Sequence, residues 1–327
     1  MKKNKNKSST TLMHMFEAQN EFSNLFFDKL DLSSEEKEDL TKSFTLALHS
    51  EASGIIDSVN FKDHRLTKKA VDRNKLLFKS VDSFRYMLAI MNLWDFSQED
   101  FIEAFHSKDL FLNMRHQFEM NPWKEGKPVV LFDIDDVLNE FRDTFTQWLH
   151  DEHDVYVDPN STEYYSSKEV KAAGLSPEGT FQQFIADGGL MSIAPNQKMI
   201  NIANKLYEKG VFIQLITARP SDNLKCKYDT YRWVEAAGIK CNHIDFSPEK
   251  YRWLLTQDYF HSDVVLCALD DSEKHSMEYA KHSIEVLSPR TSYNKALEDV
   301  SGVTIYDKPE QAYNKILKKL EDFNRNE

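Results

Sequence analysis

The chain has 327 residues, of which 41% are hydrophobic and 29% are charged, and its formal net charge is -12 at pH 7. This length suits two domains that each bury a core, and the negative charge argues against non-specific binding to long nucleic acids. No apolar run approaches the length of a membrane span, and the N-terminus lacks a signal-peptide core, so we expect a cytoplasmic protein. The three cysteines, Cys226, Cys241 and Cys267, show no metal-ligand spacing and are predicted to be reduced.

The first third of the chain has a helical pattern. Residues 1–11 are rich in lysine and small polar residues and are predicted to form a flexible tail, and residues 12–118 contain no proline and only one glycine. Two N-terminal capping boxes, Ser33-x-x-Glu36 and Ser97-x-x-Asp100, each precede a helical pattern. We therefore predict an all-α bundle over 12–121, with helices at about 34–60, 67–94 and 98–118.

This helical segment resembles the all-α NTP pyrophosphohydrolases, specifically the dimeric dUTPases, over 46–55, 60–62, 81–86 and, more weakly, 104–115. Members of that family bind Mg²⁺ through a Glu-x-x-Glu pair on one helix and a Glu-x-x-Asp pair on the next. Glu51 and Asp82 match two of these four positions, but Gly54 and Lys79 occupy the other two. The resemblance therefore implies a degenerate module that binds a ligand or forms a homodimer and does not hydrolyse nucleotides.

The remainder of the chain alternates between apolar runs and helical segments. Residues 121–128 contain two prolines and one glycine and are the best candidate for a linker. Apolar runs of this length are typical of buried parallel strands. We predict such strands at 129–132, 211–216 and 264–269, with edge strands at 284–287 and 303–306. Polar residues follow the first three runs, and the carboxyl ends of parallel strands meet at one edge of a sheet, so these residues are expected to form one site.

Three carboxylates follow the first apolar run within four positions: Asp133, Asp135 and Asp136. Burying so much like charge costs several kcal/mol unless a cation or hydrogen bonds compensate for it. The alternative interpretation is a solvated acidic turn, but the motifs that follow the other two strands argue against it. The pattern therefore favours a cation-binding or catalytic site.

In their order along the chain, these motifs resemble the haloacid dehalogenase (HAD) superfamily of phosphohydrolases. Asp136 departs from the first motif of that superfamily, in which glycine is commonest. Lys250 is the best candidate for the third motif, with Lys240 and Lys227 as rivals. The matching residues in motif order are Asp133 with Asp135, Thr217, Lys250, and Asp270 with Asp271. The resemblance implies an α/β Rossmann-like domain over 127–327, with a short helical cap at about 139–200.

The resemblance also implies a role for each of these residues. Asp133 would attack phosphorus and form an aspartyl-phosphate, and Asp135 would act as general acid and then as general base. Thr217 would donate hydrogen bonds to phosphoryl oxygens, and Lys250 would offset negative charge. Arg219 would either bind a substrate phosphate or pair with an acid; the sequence favours neither.

A magnesium ion is also implied. The carboxylate of Asp133, the backbone carbonyl of Asp135 and the carboxylate of Asp270 would hold Mg²⁺, a hard cation that prefers oxygen ligands. Asp271 would bind the ion through water or support the ligands that do so.

The predicted cap is rich in aromatic residues. Most of them are expected to form its core and a few to stack on a base, with Trp148 and Phe184 as first candidates. Residues 188–195 resemble the 5′(3′)-deoxyribonucleotidases, whereas the turn at 217–220 is shared with the phosphatase domain of polynucleotide kinase–phosphatases. We therefore expect hydrolysis of a deoxynucleoside monophosphate. The alternatives are a polynucleotide 3′-phosphatase and a nucleotide-binding protein without turnover.

Overall fold

The computed structural model describes residues 5–27, 31–59, 70–121, 123, 126–161 and 167–326. The chain forms two compact units that divide between His106 and Ser107. This division lies inside a helix, whereas the linker was predicted at 121–128. The reason is that the second half of this helix packs on the second unit: the ring of Phe118 lies 6.1 Å from that of Phe212.

In the first unit, all of the long described elements are α-helices, in agreement with the predicted all-α segment. Both predicted capping boxes are confirmed, since Ser33 and Glu36 accept hydrogen bonds from each other's backbone N–H groups, as do Ser97 and Asp100. The first helix begins at Lys5, so residues 5–11 are helical rather than part of the predicted tail. The helices are α1 (Lys5–Ser23), α2 (Ser34–Ile56), α3 (Arg73–Leu93) and α4 (Gln98–Met120), the last of which continues into the second unit.

Among the four positions that the resemblance to dUTPases singles out, a lysine lies between two acids. Lys79 Nζ lies 2.6 Å from Glu51 Oε2 and 3.8 Å from Asp82 Oδ2. A Cβ atom at Gly54 would lie only 2.9 Å from Lys79 Cδ, so the glycine leaves room for the aliphatic part of the lysine. An ammonium group thus compensates the two remaining acids. Residues 60–62, which belong to the same resemblance, lie outside the described residues.

A six-stranded, entirely parallel sheet forms the centre of the second unit, which confirms the predicted α/β Rossmann-like fold. Its order is β3-β2-β1-β4-β5-β6, so β1 lies between β2 and β4. The strand β3 was not predicted, because His243 and Asp245 interrupt its apolar pattern. The strands are β1 (Val129–Phe132), β2 (Phe212–Thr217), β3 (His243–Phe246), β4 (Val265–Leu269), β5 (Val286–Pro289) and β6 (Val303–Tyr306).

A helical cap is inserted between β1 and β2, as predicted. Its core is mainly aromatic and aliphatic, and Phe145, Phe184 and Leu190 are almost completely buried there. Gly189 has a packing role, since a Cβ atom at this position would lie 2.2 Å from the ring of Phe184. The cap helices are α5 (Phe141–His153), α6 (Lys168–Ala172), α7 (Pro177–Ala186) and α8 (Gly189–Ser192).

Helices cover both faces of the sheet. Side chains alternate along a strand, so Val130 of β1 joins the core on one face and Leu131 joins the core on the other. The remaining helices are α9 (Gln197–Glu208), α10 (Leu224–Ala236), α11 (Lys250–Leu255), α12 (Glu273–Lys281) and α13 (Pro309–Asn326). The first core includes residues of α9, α10 and α13, and the second includes residues of α11 and α12. No helix in the described ranges combines the length and the apolar character needed to cross a membrane.

Candidate active site

The residues of the four predicted motifs lie at the carboxyl end of the sheet. Asp133 follows the central strand β1, Thr217 ends β2, and Asp270 follows β4. Lys250 is the first residue of α11, the helix that comes after β3. A cavity of about 480 Å³ opens at this edge, a volume within the range of about 300–1,000 Å³ that is common for small-molecule sites.

Lys250 is the lysine that the fold brings to the acids. Its Nζ lies 2.8 Å from Asp133 Oδ1 and 2.7 Å from Asp270 Oδ2, and its side chain is only 1% exposed. The two rivals lie elsewhere: Lys240 pairs with a surface glutamate, and Lys227 lies over the aromatic rings of Phe111 and Phe246. Of the three candidate lysines, Lys250 is therefore the one that contacts Asp133 and Asp270.

The acid cluster carries more negative charge than one lysine can balance. Burial alone would lower the pKa of Lys250, but Asp133 and Asp270 outweigh it and raise this pKa, so the ammonium group stays charged. Burial raises the pKa of Asp133 well above its ordinary range, and Lys250 offsets only part of this effect. Burial, together with the charge of Asp270, raises the pKa of Asp271 to about 6. A second cation would favour the ionised forms of Asp133 and Asp271.

The same acids fit a divalent cation. One carboxylate oxygen of each of Asp133, Asp270 and Asp271 lies within 4.8 Å of the others. Mg²⁺ prefers oxygen ligands, and carboxylates are among them. The carboxylate of Asp135 does not belong to this group; the sequence implied a contact to metal only through its backbone carbonyl.

Arg219 pairs with an acid, which is one of the two roles that the sequence left open. Its Nη2 donates to Asp135 Oδ1 at 2.6 Å and its Nε donates to Asp135 Oδ2 at 2.9 Å. Asn139 Nδ2 also donates to Asp135 Oδ1, at 3.0 Å. Thr217 is fully buried, and its Oγ1 accepts a hydrogen bond from the backbone N–H of Arg219 at 3.3 Å. The turn after β2 thus positions the carboxylate of Asp135 at the cavity.

A second network, which sequence reasoning missed, is centred on Asp136. This residue has φ = 58°, in the left-handed region that favours glycine. Its carboxylate accepts hydrogen bonds from the backbone N–H and from Nε of Arg142, each at 3.0 Å. The guanidinium carbon of Arg142 lies 3.5 Å from the ring centroid of Tyr293, whose hydroxyl donates to Asp271 at 2.9 Å. This network links the start of the cap to the acid cluster, and the sequence pattern contains no signal for Tyr293.

The aromatic residues at the cavity are not the ones predicted. Phe184 is completely buried, its ring lies 5.4 Å from that of Trp148, and neither residue lines the cavity. Phe141 and Phe181 line it instead. Trp148 and Phe184 are therefore part of the cap core, because the small Gly189 allows Phe184 to pack inwards. Two further aromatic residues of the predicted cap, at 164 and 165, lie outside the described residues.

Two further groups at the cavity were missed. His275 of α12 lines it, and burial together with the charge of Lys250 lowers the pKa of this histidine to about 4. Glu178 and Gln182 of α7 also line it. The sequence could have indicated Glu178 and Gln182 through their helical spacing, since Phe181 and Gln182 follow Glu178 by three and four residues, which places all three side chains on one helix face.

Comparisons with known proteins identify similar folds and no family. No protein-family model and no curated protein matches the sequence. Among solved structures, the chain is similar to a predicted phosphatase from Clostridium acetobutylicum, with 16% identity and a TM-score of 0.45, over 59% of this chain and 99% of that one. It is also similar to a proposed beta-phosphoglucomutase from Thermotoga maritima, with 18% identity and a TM-score of 0.41, over 59% and 99% of the two chains. Similarities at this level do not assign an activity.

Proposed function

We propose that the second unit is a Mg²⁺-dependent phosphomonoesterase of the HAD type that acts on a nucleoside monophosphate, with a deoxynucleoside monophosphate as our first choice. The observation that carries the proposal is the position of Lys250, buried between Asp133 and Asp270 at a cavity on the carboxyl edge of the sheet. A phosphate monoester is a dianion, so a nucleophilic carboxylate can approach it only where positive charge compensates both groups. Lys250 supplies such a charge at the expected nucleophile.

The described residues support a two-step reaction. In the first step, an oxygen of Asp133 forms a bond to phosphorus while the bond to the leaving oxygen breaks, and Asp135 protonates that oxygen. In the second step, Asp135 takes a proton from water as the water attacks the aspartyl-phosphate, which releases inorganic phosphate and regenerates Asp133. Mg²⁺ held by Asp133, Asp270 and Asp271 would supply positive charge next to the phosphoryl group.

The ion pair between Arg219 and Asp135 bears on substrate binding. A phosphoryl group that enters the cavity would compete with Asp135 for the guanidinium. Such an exchange would bind the substrate and, at the same time, free the carboxyl group for proton transfer. Arg219 would then fill both roles that the sequence left open: it pairs with an acid before the substrate binds and binds the substrate phosphate afterwards.

The charge distribution supports a mononucleotide rather than a polynucleotide. Three basic side chains line the cavity, and each already pairs with an acid: Arg142 with Asp136, Arg219 with Asp135, and Lys250 with Asp133. A nucleic acid strand would need further basic groups for its successive phosphates. A 3′-phosphatase on nucleic-acid ends therefore remains the second candidate.

A phosphate-release screen over nucleotides, sugar phosphates and 3′-phosphorylated oligonucleotides tests the proposal. We expect activity that requires Mg²⁺ and is lost by several orders of magnitude in Asp133→Asn, which keeps the shape of the side chain but removes the nucleophile. The matched control is Asp151→Asn on the exposed side of α5, which should keep full activity.

Three outcomes would contradict the proposal. More than about a tenth of the activity in Asp133→Asn would exclude the covalent mechanism. Faster turnover of a 3′-phosphorylated oligonucleotide than of any mononucleotide would favour the second candidate. Nucleotide binding without any phosphate release would favour a binding protein without turnover.

For the first unit, we propose dimerisation. Its helix α2 has no buried residue in 23 residues, and the exposed apolar side chains include Leu46, Leu77 and Phe78. An amphipathic helix normally buries its apolar stripe. A second copy of the chain could cover these side chains, in agreement with the resemblance to a dimeric family.

A further inference from the structure

One face of the cap helix α7 lines the same cavity as the catalytic acids. This face carries Glu178, Phe181 and Gln182, whose spacing of three and four residues places them side by side. The start of the helix is well defined, because Ser176 Oγ accepts a hydrogen bond from the backbone N–H of Gly179 at 3.0 Å. A carboxylate, an aromatic ring and an amide are therefore presented to the cavity by one helix.

The amide of Gln182 has a hydrogen-bond partner at the start of α10. Its Oε1 accepts a hydrogen bond of 2.5 Å from Nδ2 of Asn223, and Oδ1 of Asn223 in turn accepts from the backbone N–H of Cys226 at the start of α10. The oxygen of Gln182 keeps one free lone pair, and its donor for other partners is its NH₂ group. This group makes no hydrogen bond within the part of the chain that the structure describes. Gln182 can thus donate to an acceptor atom in the cavity.

The carboxylate of Glu178 is complementary to this donor. It forms no hydrogen bond or ion pair with any described residue, although it lines a cavity that also contains three basic side chains. Each of those bases pairs with another acid. A carboxylate only accepts hydrogen bonds, and its two oxygens can accept from two adjacent N–H groups at once. Glu178 therefore favours a group with neighbouring N–H donors and disfavours a second phosphate.

We propose that Glu178, Phe181 and Gln182 select the leaving group of the substrate, and that this group carries a guanine base. Guanine presents two adjacent N–H donors, at N1 and at the exocyclic amine, next to the O6 acceptor. The donors match Glu178, O6 matches the NH₂ group of Gln182, and the flat ring matches the aromatic face of Phe181. This inference rests on the phosphatase function proposed above and names its substrate.

The other common bases fit less well. Thymine has a single ring N–H between two oxygen acceptors, and cytosine and adenine each place an acceptor nitrogen beside their amine. In each case an acceptor would face a carboxylate oxygen, and this contact is repulsive. A sugar phosphate offers donors, but it has no flat face for Phe181. The guanine edge is thus the best match to all three side chains.

The test compares dGMP with dIMP, which lacks only the exocyclic amine. With wild-type protein and Mg²⁺, we expect kcat/KM for dGMP to exceed that for dIMP about tenfold, since one hydrogen bond to a charged group is lost. In Glu178→Gln, this ratio should fall to about one, and kcat/KM for dGMP should fall relative to that for p-nitrophenyl phosphate by roughly ten- to a hundredfold. The matched control is Gln183→Ala, at an exposed position of the same helix that does not line the cavity; it should retain the wild-type ratios.

A binding experiment separates failure of this inference from failure of the phosphatase proposal. In the Asp133→Asn protein, titration calorimetry should show tighter binding of dGMP than of dIMP, and additional Glu178→Gln should abolish the difference. Equal binding of the two nucleotides would overturn the inference, whatever the activity of the wild type. An equal loss for dGMP, dIMP and p-nitrophenyl phosphate in Glu178→Gln would also overturn it, because Glu178 would then act only on the cap structure.

Discussion

Replacing Lys250 with methionine tests the electrostatic account of the site. Methionine keeps much of the length and apolar character of the side chain but removes the charge. In the native protein this charge lies 2.8 Å from Asp133 and 2.7 Å from Asp270, and the lysine is 1% exposed. The substitution would leave two buried carboxylates without their cation.

The expected loss of stability follows from the burial of this ion pair. Removing one partner of a buried ion pair costs about 3–5 kcal/mol, because the remaining charge is neither solvated nor paired. For a domain of this size, each kcal/mol corresponds to a change in Tm of about 2–4 °C. We therefore expect Lys250→Met to lower the Tm by roughly 6–20 °C in buffer that contains EDTA.

Differential scanning calorimetry with EDTA and with excess Mg²⁺ is the assay. Mg²⁺ should raise the Tm of Lys250→Met by more than it raises that of the wild type, since the ion would supply part of the missing charge. The control is Lys274→Met, which breaks the exposed pair with Glu249 and should change the Tm little. A Tm of Lys250→Met equal to that of the wild type in EDTA would refute the buried ion pair. An equal response to Mg²⁺ in the two proteins would refute the charge compensation.

Three further predictions concern pH, the first unit and assembly. In the native protein the pKa of His275 is lowered from 6.5 to about 4. Between these two pH values the unfolded chain binds a proton at this histidine that the native protein does not. The free energy of unfolding should therefore fall by up to about 3 kcal/mol as the pH drops from 6.5 to 4. Urea denaturation without metal should show that the free energy of unfolding of His275→Gln depends less on pH over this range than that of the wild type. Replacement of the exposed His261 by Gln should leave the pH dependence of the wild type unchanged. The first unit should release no pyrophosphate from dUTP or dCTP with Mg²⁺, because the Lys79 ammonium lies between Glu51 and Asp82; release by the full chain would show that other acids bind the metal. Light scattering should give a dimer for the wild type and a monomer for a protein with Leu77→Glu and Phe78→Glu, whereas a monomeric wild type at micromolar concentration would exclude the dimer.

Local sequence determined the architecture of the second unit and the core of its site. A short apolar run that ends in acids favours a buried strand with a polar carboxyl end, and the repetition of this pattern after three runs supports a parallel sheet. Asp133 and Asp270 could therefore be placed at one edge of a parallel sheet from the sequence alone. The capping boxes at Ser33 and Ser97 were predictable for the same reason, since their hydrogen bonds join residues only three positions apart.

Contacts between distant residues were decided only by the tertiary structure. The sequence already favoured Lys250 over Lys240 and Lys227, but its contact with Asp133 and Asp270 depends on β3, which is too polar to be recognised, and on how α11 follows it. The partner of Arg219 is Asp135, 84 positions away, and no periodicity links residues at that distance. The aromatic residues that face the cavity, Phe141 and Phe181 rather than Trp148 and Phe184, depend on which side of each cap helix packs inwards. An apolar residue gains a similar free energy from burial in the cap core and in the wall of a cavity, so composition could not distinguish between these two positions.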